Sequence, residues 1–325
     1  MATYREVKGY SVKSVSSDPS NVKEGQIWYN SSTKVIKVAP NIASWASGNN
    51  MSNSRSTMGF FGSATSAISA GGPSSTVGSE EYDGTNWTAG GNLNTGRNYI
   101  GGAGASIPSG RLFGGRQAPT TQNDENESYN GTSWSEEGDM NTARGMLVGM
   151  GTQAAALGAG GNTGPGPSGG SNQAISEEWD GSSWSEGDNL NTPRAGAGGA
   201  GTQTAGLCVA GQSSGVTDEV EEYNGTSWTS VTSIPAGREG MFVWGTQTDA
   251  VVAAGAQPRI STTFSYDGTN WTTYPATVAT SRNYGATGGA NSTAGVIGGG
   301  EAATGNTNLT EEFSQSATTR TVDVS

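Results

Sequence analysis

The pattern that organises this chain is an alternation of aromatic and polar positions, Glu221-Glu222-Tyr223-Asn224-Gly225-Thr226-Ser227-Trp228, which the sequence repeats. Copies stand at 80–87 (EEYDGTNW), 127–134 (ESYNGTSW), 177–184 (EEWDGSSW) and 265–271 (SYDGTNW), and Glu311-Glu312-Phe313 is a worn version. In each complete copy the second aromatic follows the first by five residues. An Arg follows each Trp by ten residues (Arg97, Arg144, Arg194, Arg238), or by eleven at Arg282, and Trp45 with Arg55 repeats that interval without the leading motif. About seventeen residues further comes a small pair: Gly71-Gly72, Gly114-Gly115, Gly160-Gly161, Ala210-Gly211, Ala254-Gly255 and Gly298-Gly299. A period of 42 to 50 residues with these marks means a repeat architecture.

Asn-Gly or Asp-Gly inside such alternation predicts a β-hairpin with a type I′ turn, so Tyr223 ends one strand and Trp228 begins the next. Gly-Thr-Gln at Gly151, Gly201 and Gly245 predicts a second tight turn between Gly- and Ala-rich strands, such as 197–201 and 205–210. Each unit therefore reads as four short antiparallel strands, small residues inside and aromatics outside. That is a wedge, and radial repetition of four-stranded wedges is the β-propeller solution to exposed sheet edges. The expected fold is all-β, a six-bladed propeller over residues 41–325 with a short N-terminal hairpin segment, 1–40. The strand at Trp45 has no earlier Gly-rich strands of its own, and the last unit lacks a Trp. These two ends complement each other, so the Trp45 strand is expected to complete the sixth blade. The strand-like Thr319-Arg320-Thr321-Val322-Asp323-Val324 competes for that place, or joins the N-terminal hairpin as a seventh blade.

The order Arg, Gly-Gly, Tyr-Asp, Trp resembles the kelch-type propeller repeat. The wording YNGTSWT, NTAR and GTQTAGL further resembles propeller proteins of bacteriophages that infect cyanobacteria. Near the N-terminus, Gly25-Gln26-Ile27-Trp28-Tyr29-Asn30 and Val35-Ile36-Lys37-Val38 bracket a turn at 31–34, and this hairpin is similar to a module of phage tail-fibre and virion-surface proteins. The resemblance implies a virion protein whose residues 1–40 contact other virion proteins, as a tail fibre, appendage or head-decoration protein.

Composition alters this picture in three places. The hydrophobic fraction of 32% is low, but 53 Gly bring apolar plus Gly to roughly 48%, enough for many thin sheet interfaces. All five Lys lie in the first 40 residues, where six positive charges face three negative ones, a net of +3; residues 41–325 carry ten Arg against 25 acids, a net of −15. Such a break marks segments with different tasks, and an acidic propeller argues against nucleic acid as a partner. No run is apolar enough to insert in a membrane.

The chain contains no His, which removes the commonest general base and metal ligand. Cys208 alone supports neither a disulfide nor a thiolate cluster and reads as a small buried hydrophobe. No catalytic residue, cofactor or metal is expected, although paired acids at 136–139 and 186–188 keep a polysaccharide depolymerase open. The repeated Trp45, Trp87, Trp134, Trp184, Trp228 and Trp271 should fill gaps between blades. The repeated Arg55, Arg97, Arg144, Arg194, Arg238 and Arg282 either bond carbonyls and the repeated Glu or ring the channel mouth for an anion. Only the interval from the small pair to the next aromatic varies, which places diverse loops on one face of a rigid scaffold. Candidate ligand-binding positions are Arg116, Asn123, Asp124 and Asn126 in one long loop, and Asn162, Ser168, Asn172 and Gln173 in the other. The expected function is non-enzymatic recognition of a host surface glycan or receptor during adsorption; the alternative is a decoration protein that contacts only its own virion.

Overall fold

The computed structural model describes residues 12–18, 27–38, 41–117, 121–164, 171–317 and 320–322. The chain divides into two compact units, 1–44 with 315–325, and 45–314. Among the described residues there is no α-helix, only strands and one short 3-10 turn at Pro73–Ser75.

The larger unit is a six-bladed propeller. The first blade is Gly59–Ser63, Ser66–Ala70, Ser79–Tyr82 and Trp87–Ala89, each strand hydrogen-bonded to the next. Four more blades repeat this meander, with inner strands Gly101–Ser106, Val148–Gly151, Gly198–Thr202 and Phe242–Thr246. The sixth combines Ala286–Asn291, Ala294–Gly298 and Thr310–Ala317 with Asn41–Ser47, so the strand bearing Trp45 closes the ring. Neighbouring inner strands pack against each other in cyclic order, and the last returns to the first. The residues that make these strands possible are small. A Cβ at Gly101 or Gly158 would come within 3.0 Å of the Phe113 ring, in the wedge where sheets converge.

The outer hairpins form where expected, but through a different turn. Tyr82 pairs with Trp87 across a four-residue loop, 83–86, and only its Gly84 has positive φ. The Asp83 carboxylate accepts the amides of Thr85 (2.8 Å) and Asn86 (2.7 Å), and Asn130, Asp180, Asn224 and Asp267 do the same in their blades. A side chain that binds two backbone amides stabilises the loop without the second positive φ that a type I′ turn demands. The last small pair is likewise displaced by one residue: Gly299 and Gly300 adopt positive φ, and Gly298 belongs to the strand.

Adjacent blades are joined by several repeated bonds. The second Glu of each motif accepts the Tyr hydroxyl of the next blade: Tyr129 to Glu81, Tyr223 to Glu178, Tyr266 to Glu222 (2.9 Å) and Tyr82 to Glu312 (2.6 Å). The two exceptions are matched. Where that Glu is Ser128, the next blade carries Trp179; where it is Ser265, the next carries Phe313. Neither hydroxyl nor carboxylate is then left alone. At the first of these junctions Arg111 stacks on Trp179 at 4.1 Å, and at the second Phe313 packs edge-on to Trp244 of the fifth blade at 5.4 Å. Each Gly-Thr-Gln glutamine bonds two carbonyls of the preceding blade, as Gln203 does with Ala156 (3.0 Å) and Trp179 (2.7 Å).

At the axis, the residue two positions after each repeated Arg sits in the left-handed region: Thr57, Tyr99, Met146, Gly196, Gly240 and Tyr284, with φ from 53° to 63°. Each donates its amide to the carbonyl of the one before it, and Thr57 donates to Tyr284, closing six bonds of 2.5–2.9 Å head to tail. For the four non-glycine members this backbone is strained, and the closed ring of bonds holds it.

The smaller unit is a separate sheet in which Lys13–Val15, Ile27–Asn30, Val35–Val38 and Arg320–Val322 are neighbours in that order. The expected hairpin is present between the second and third strands, but the first pairs in parallel. The C-terminal strand Arg320–Val322 thus joins the N-terminal hairpin, in a mixed sheet unlike the antiparallel blades. Asp18 accepts bonds from Lys37, Asn30 (2.7 Å) and Trp28 Nε1 (3.1 Å), which hold its carboxyl down at about 2.

Candidate binding face

The repeated arginines sit at the start of each blade and are buried. Five take the first Glu of their own blade's motif: Arg55 with Glu80 (2.6 Å), Arg97 with Glu127 (2.8 Å), Arg194 with Glu221 (2.5 Å), Arg144 with Glu177 and Arg282 with Glu311. The second oxygen of each Glu accepts an amide from the same connection, such as Asn191 N to Glu221 at 2.7 Å. These arginines brace the chain where it enters a blade and do not ring a ligand. Arg238 is the exception. Its blade has Phe264 in place of the Glu, and the guanidinium lies 4.5 Å over that ring, bonded to Ala254 O (2.9 Å) and Thr262 Oγ1 (3.1 Å). Burial with no carboxylate brings its pKa down to about 10. The repeated Trp side chains reach toward the preceding blade: Trp87 Nε1 bonds Thr310 Oγ1 (2.9 Å), Trp134 bonds Gly91 O (2.9 Å), Trp228 bonds Ser176 Oγ (2.9 Å), Trp271 bonds Thr232 O (2.9 Å) and Trp45 bonds Thr263 Oγ1 (3.0 Å). Trp184 packs on Phe113 at 4.8 Å.

The long loops turn several of their polar groups inward. Asn126 is fully buried at the start of a strand, where it accepts Arg111 Nη1 (3.0 Å) and donates to Gly138 O (3.0 Å); it is a structural residue and not a surface ligand. Asn162 is buried as well, and donates to Asn172 (3.2 Å), which in turn bonds the carbonyls of Gln212 (2.8 Å) and Ser213 (3.0 Å) in the next blade. Asn123 bonds Glu125 (3.2 Å), and Gln173 bonds Thr163 (3.1 Å) and Ser171 O (2.7 Å). Asp124 is half-buried, and Ser168 lies outside the described residues.

Arg116 differs from all of these. It is 4% exposed, its guanidinium stacks 5.0 Å over Tyr99, and its Nε and Nη2 have no hydrogen-bond partner. Tyr99 meets Tyr284 edge to face at 5.5 Å, and these half-buried rings lie at the mouth of the axial channel. A Cβ on Gly196 would stand 2.9 Å from the Tyr284 hydroxyl and 3.7 Å from Glu239 Cβ, so this tyrosine lies beside Glu239 of the neighbouring blade. Burial, then Glu239, pushes the Tyr284 hydroxyl well up, and burial raises the Glu239 carboxyl. Glu239 Oε1 accepts Gln257 Nε2 (2.7 Å), and its carboxyl adjoins the Tyr284 hydroxyl, whereas Asn98 Oδ1 and Asn283 Oδ1 are buried without a donor. The cavity beneath these rings has a volume of about 80 Å³. Sequence reasoning singled out Arg116 and missed Tyr99, Tyr284, Glu239, Asn98 and Asn283. The available signal was variation: the two residues after the repeated Arg change among blades within otherwise repeated wording, with Asn-Tyr recurring only after Arg97 and Arg282.

One acid of each group contacts the scaffold, and Glu136, Asp139 and Glu186 are exposed. Glu137 pairs with Arg111 (3.1 Å), and Asp188 accepts Trp228 N (3.4 Å). Cys208 is buried, which raises its thiol pKa. Among the described residues no group of His, Cys, Asp or Glu is placed to hold a metal ion, and no helix is long and apolar enough to cross a membrane.

No family model matches the sequence, and no curated protein matches it. Among solved structures the chain is similar to one titled "Structure of YjhT", with 15% identity, a TM-score of 0.66, and coverage of 84% of this chain and 99% of that one. At that identity the likeness concerns the fold.

Proposed function

We propose that this chain is a non-enzymatic recognition protein of a phage particle, which binds a host surface glycan through the loop face of its propeller and virion partners through its N-terminal segment. The observation that carries the reading is the division of labour within the repeat. Arg–Glu pairs in five blades, Tyr–Glu bonds at four junctions and Gln–carbonyl bonds at three hold a common frame, while the residues after each small pair change from blade to blade and those after the repeated Arg change except for Asn-Tyr after Arg97 and Arg282. A rigid frame with diverse positions gathered at one end suits binding. The absence of His and the pairing of Glu137 with Arg111 favour recognition over hydrolysis. The phage context rests on the resemblance of the N-terminal hairpin and repeat wording. The test is a pull-down of host envelope polysaccharide by the isolated chain, followed by a glycan array: retained glycan supports the reading, and no retention overturns it.

A second reading, a decoration protein that contacts only its own virion, is favoured by one observation. Asn162 and Asn172 spend their hydrogen bonds within the protein, as the polar groups of a structural loop would. Cross-linking within assembled particles that covers the loop face would support it.

A further inference from the structure

Asn-Gly occurs twice in the chain, at Asn130-Gly131 and Asn224-Gly225. Glycine has no Cβ to keep its amide nitrogen away from the preceding side chain, so these are the asparagines whose Cγ is most open to attack by the next nitrogen. Both are exposed, and each opens the loop of an outer hairpin. The closed loop holds the reacting group in place. Asn130 Oδ1 accepts the amides of Thr132 (2.9 Å) and Ser133 (2.9 Å), and Asn224 Oδ1 those of Thr226 (2.9 Å) and Ser227 (2.9 Å). A carbonyl tied to the second and third amides after it is not presented to the first, which is the nucleophile. The three sister loops begin with Asp83, Asp180 and Asp267, and each carboxylate makes the same two bonds, at 2.6–2.9 Å. The Ser183 amide, then the Ser182 hydroxyl, hold the Asp180 carboxyl down at about 2, and backbone amides lower Asp83 and Asp267 likewise. The repeat thus carries the amide and the acid it hydrolyses to in one geometry.

We propose that Asn130 and Asn224 are sites of spontaneous deamidation, gated by opening of their loops, and that the Asp formed rebuilds the loop of the sister blades. When the loop opens, Oδ1 leaves its two donors and the Gly131 or Gly225 nitrogen bonds to Cγ. Water relays the amide proton to Nδ2, the Cγ–Nδ2 bond breaks, and ammonia leaves a cyclic imide. A second water opens that ring without any change of oxidation state. Addition at the former side-chain carbonyl gives Asp, and addition at the backbone carbonyl gives isoaspartate, whose main chain runs through Cβ. Asp recloses the loop through two charge-assisted bonds. Isoaspartate puts an extra atom into the main chain and cannot reach both amides. Each conversion adds one negative charge to an already acidic propeller. This inference stands apart from the recognition role.

Peptide mass mapping of the full chain during incubation in heavy-oxygen water tests it, in native buffer, in urea below the unfolding transition and in urea above it. Label is expected in a new carboxyl at 130 and 224 before any other asparagine. Conversion in the native chain should be slower than in the unfolded chain by about tenfold or more, and already measurable below the transition, because opening the loop does not require unfolding the ring. The double variant Asn130→Asp with Asn224→Asp should unfold at the urea midpoint of the parent or above it. Equal rates in folded and unfolded chains, earlier conversion at another asparagine, conversion confined to the unfolding transition, or a lowered midpoint in the double variant would each overturn the proposal.

Discussion

Arg238 shows what the other five repeated arginines do, because it does the same task without a carboxylate. In its blade Phe264 replaces the Glu, and stacking plus bonds to Ala236 O, Ala254 O, Thr262 O and Thr262 Oγ1 suffice to seat the guanidinium. Removing one partner of a buried ion pair leaves the other charge uncompensated, at a cost of about 3–5 kcal/mol. Arg144→Met should therefore destabilise the protein by about that amount, since Glu177 remains fully buried, whereas Arg238→Met strands no charge and should cost about 2 kcal/mol less. Urea unfolding of the two variants checks the difference, and equal losses would refute it. The tyrosines predict a pH dependence. Burial, and then the bond to Glu81, pushes Tyr129 up to about 12, and Tyr82, Tyr223 and Tyr266 move in the same direction. In the unfolded chain a tyrosine titrates near about 10. Between these values the native state holds more protons, so stability is present below pH ~10 and declines as pH rises toward ~12. Thermal unfolding followed by circular dichroism should show a level melting temperature from pH ~7 to ~9 and a fall above ~10; Tyr129→Phe should reduce that slope.

At the scale of elements, the hairpins were legible because Tyr-x-Gly and Trp recur at constant spacing, but their turn was misread. Asp-Gly and Asn-Gly are compatible with two loops. One is a tight turn with two positive φ values, and the other is a four-residue loop closed by the Asp or Asn side chain; the backbone chooses the second. The two make opposite predictions for Asn224→Gly. In a type I′ turn Gly is at least as good as Asn, whereas here the change removes the acceptor of two amides and should cost about 1–2 kcal/mol. Denaturant midpoints with an unchanged slope would measure it, and a neutral result would restore the tight turn. The blade-to-blade Tyr–Glu bond was not legible from any one copy of the motif. It shows only when the Ser128–Trp179 and Ser265–Phe313 exchanges are compared across neighbouring blades. The inward bonds of Asn126 and Asn162 were hidden for a related reason: loop composition states which polar groups exist and not which way they face.

At the scale of the molecule, the closure of the ring was readable from its two incomplete ends, a Trp45 strand without a blade and a last blade without a Trp. The destination of the C-terminal strand was not, because short β-branched runs fit either sheet edge equally well and only tertiary pairing chooses. In the folded chain the sixth blade is held by Asn41–Ser47 on one side of Thr310–Ala317, with Trp45 against Trp244 at 5.9 Å, against Phe313, and bonded to Thr263. A ring closed by a strand from the far end of the sequence couples every blade to its two neighbours, so opening one junction exposes two sheet edges at once. Deleting 1–40 keeps the closing strand, and the propeller should remain folded with its cooperative melting transition. Deleting 1–47 removes that strand together with Trp45, and should give a lower, broader melt and association through the uncovered edge. Trp45→Ala isolates the side chain from the backbone pairing, with an expected loss of about 3 kcal/mol. Size-exclusion chromatography and calorimetry on the three variants separate the contributions. Identical melting of both truncations would mean that the circle is held shut at the axis, by the six head-to-tail amide bonds from Thr57 to Tyr284, and not at its rim.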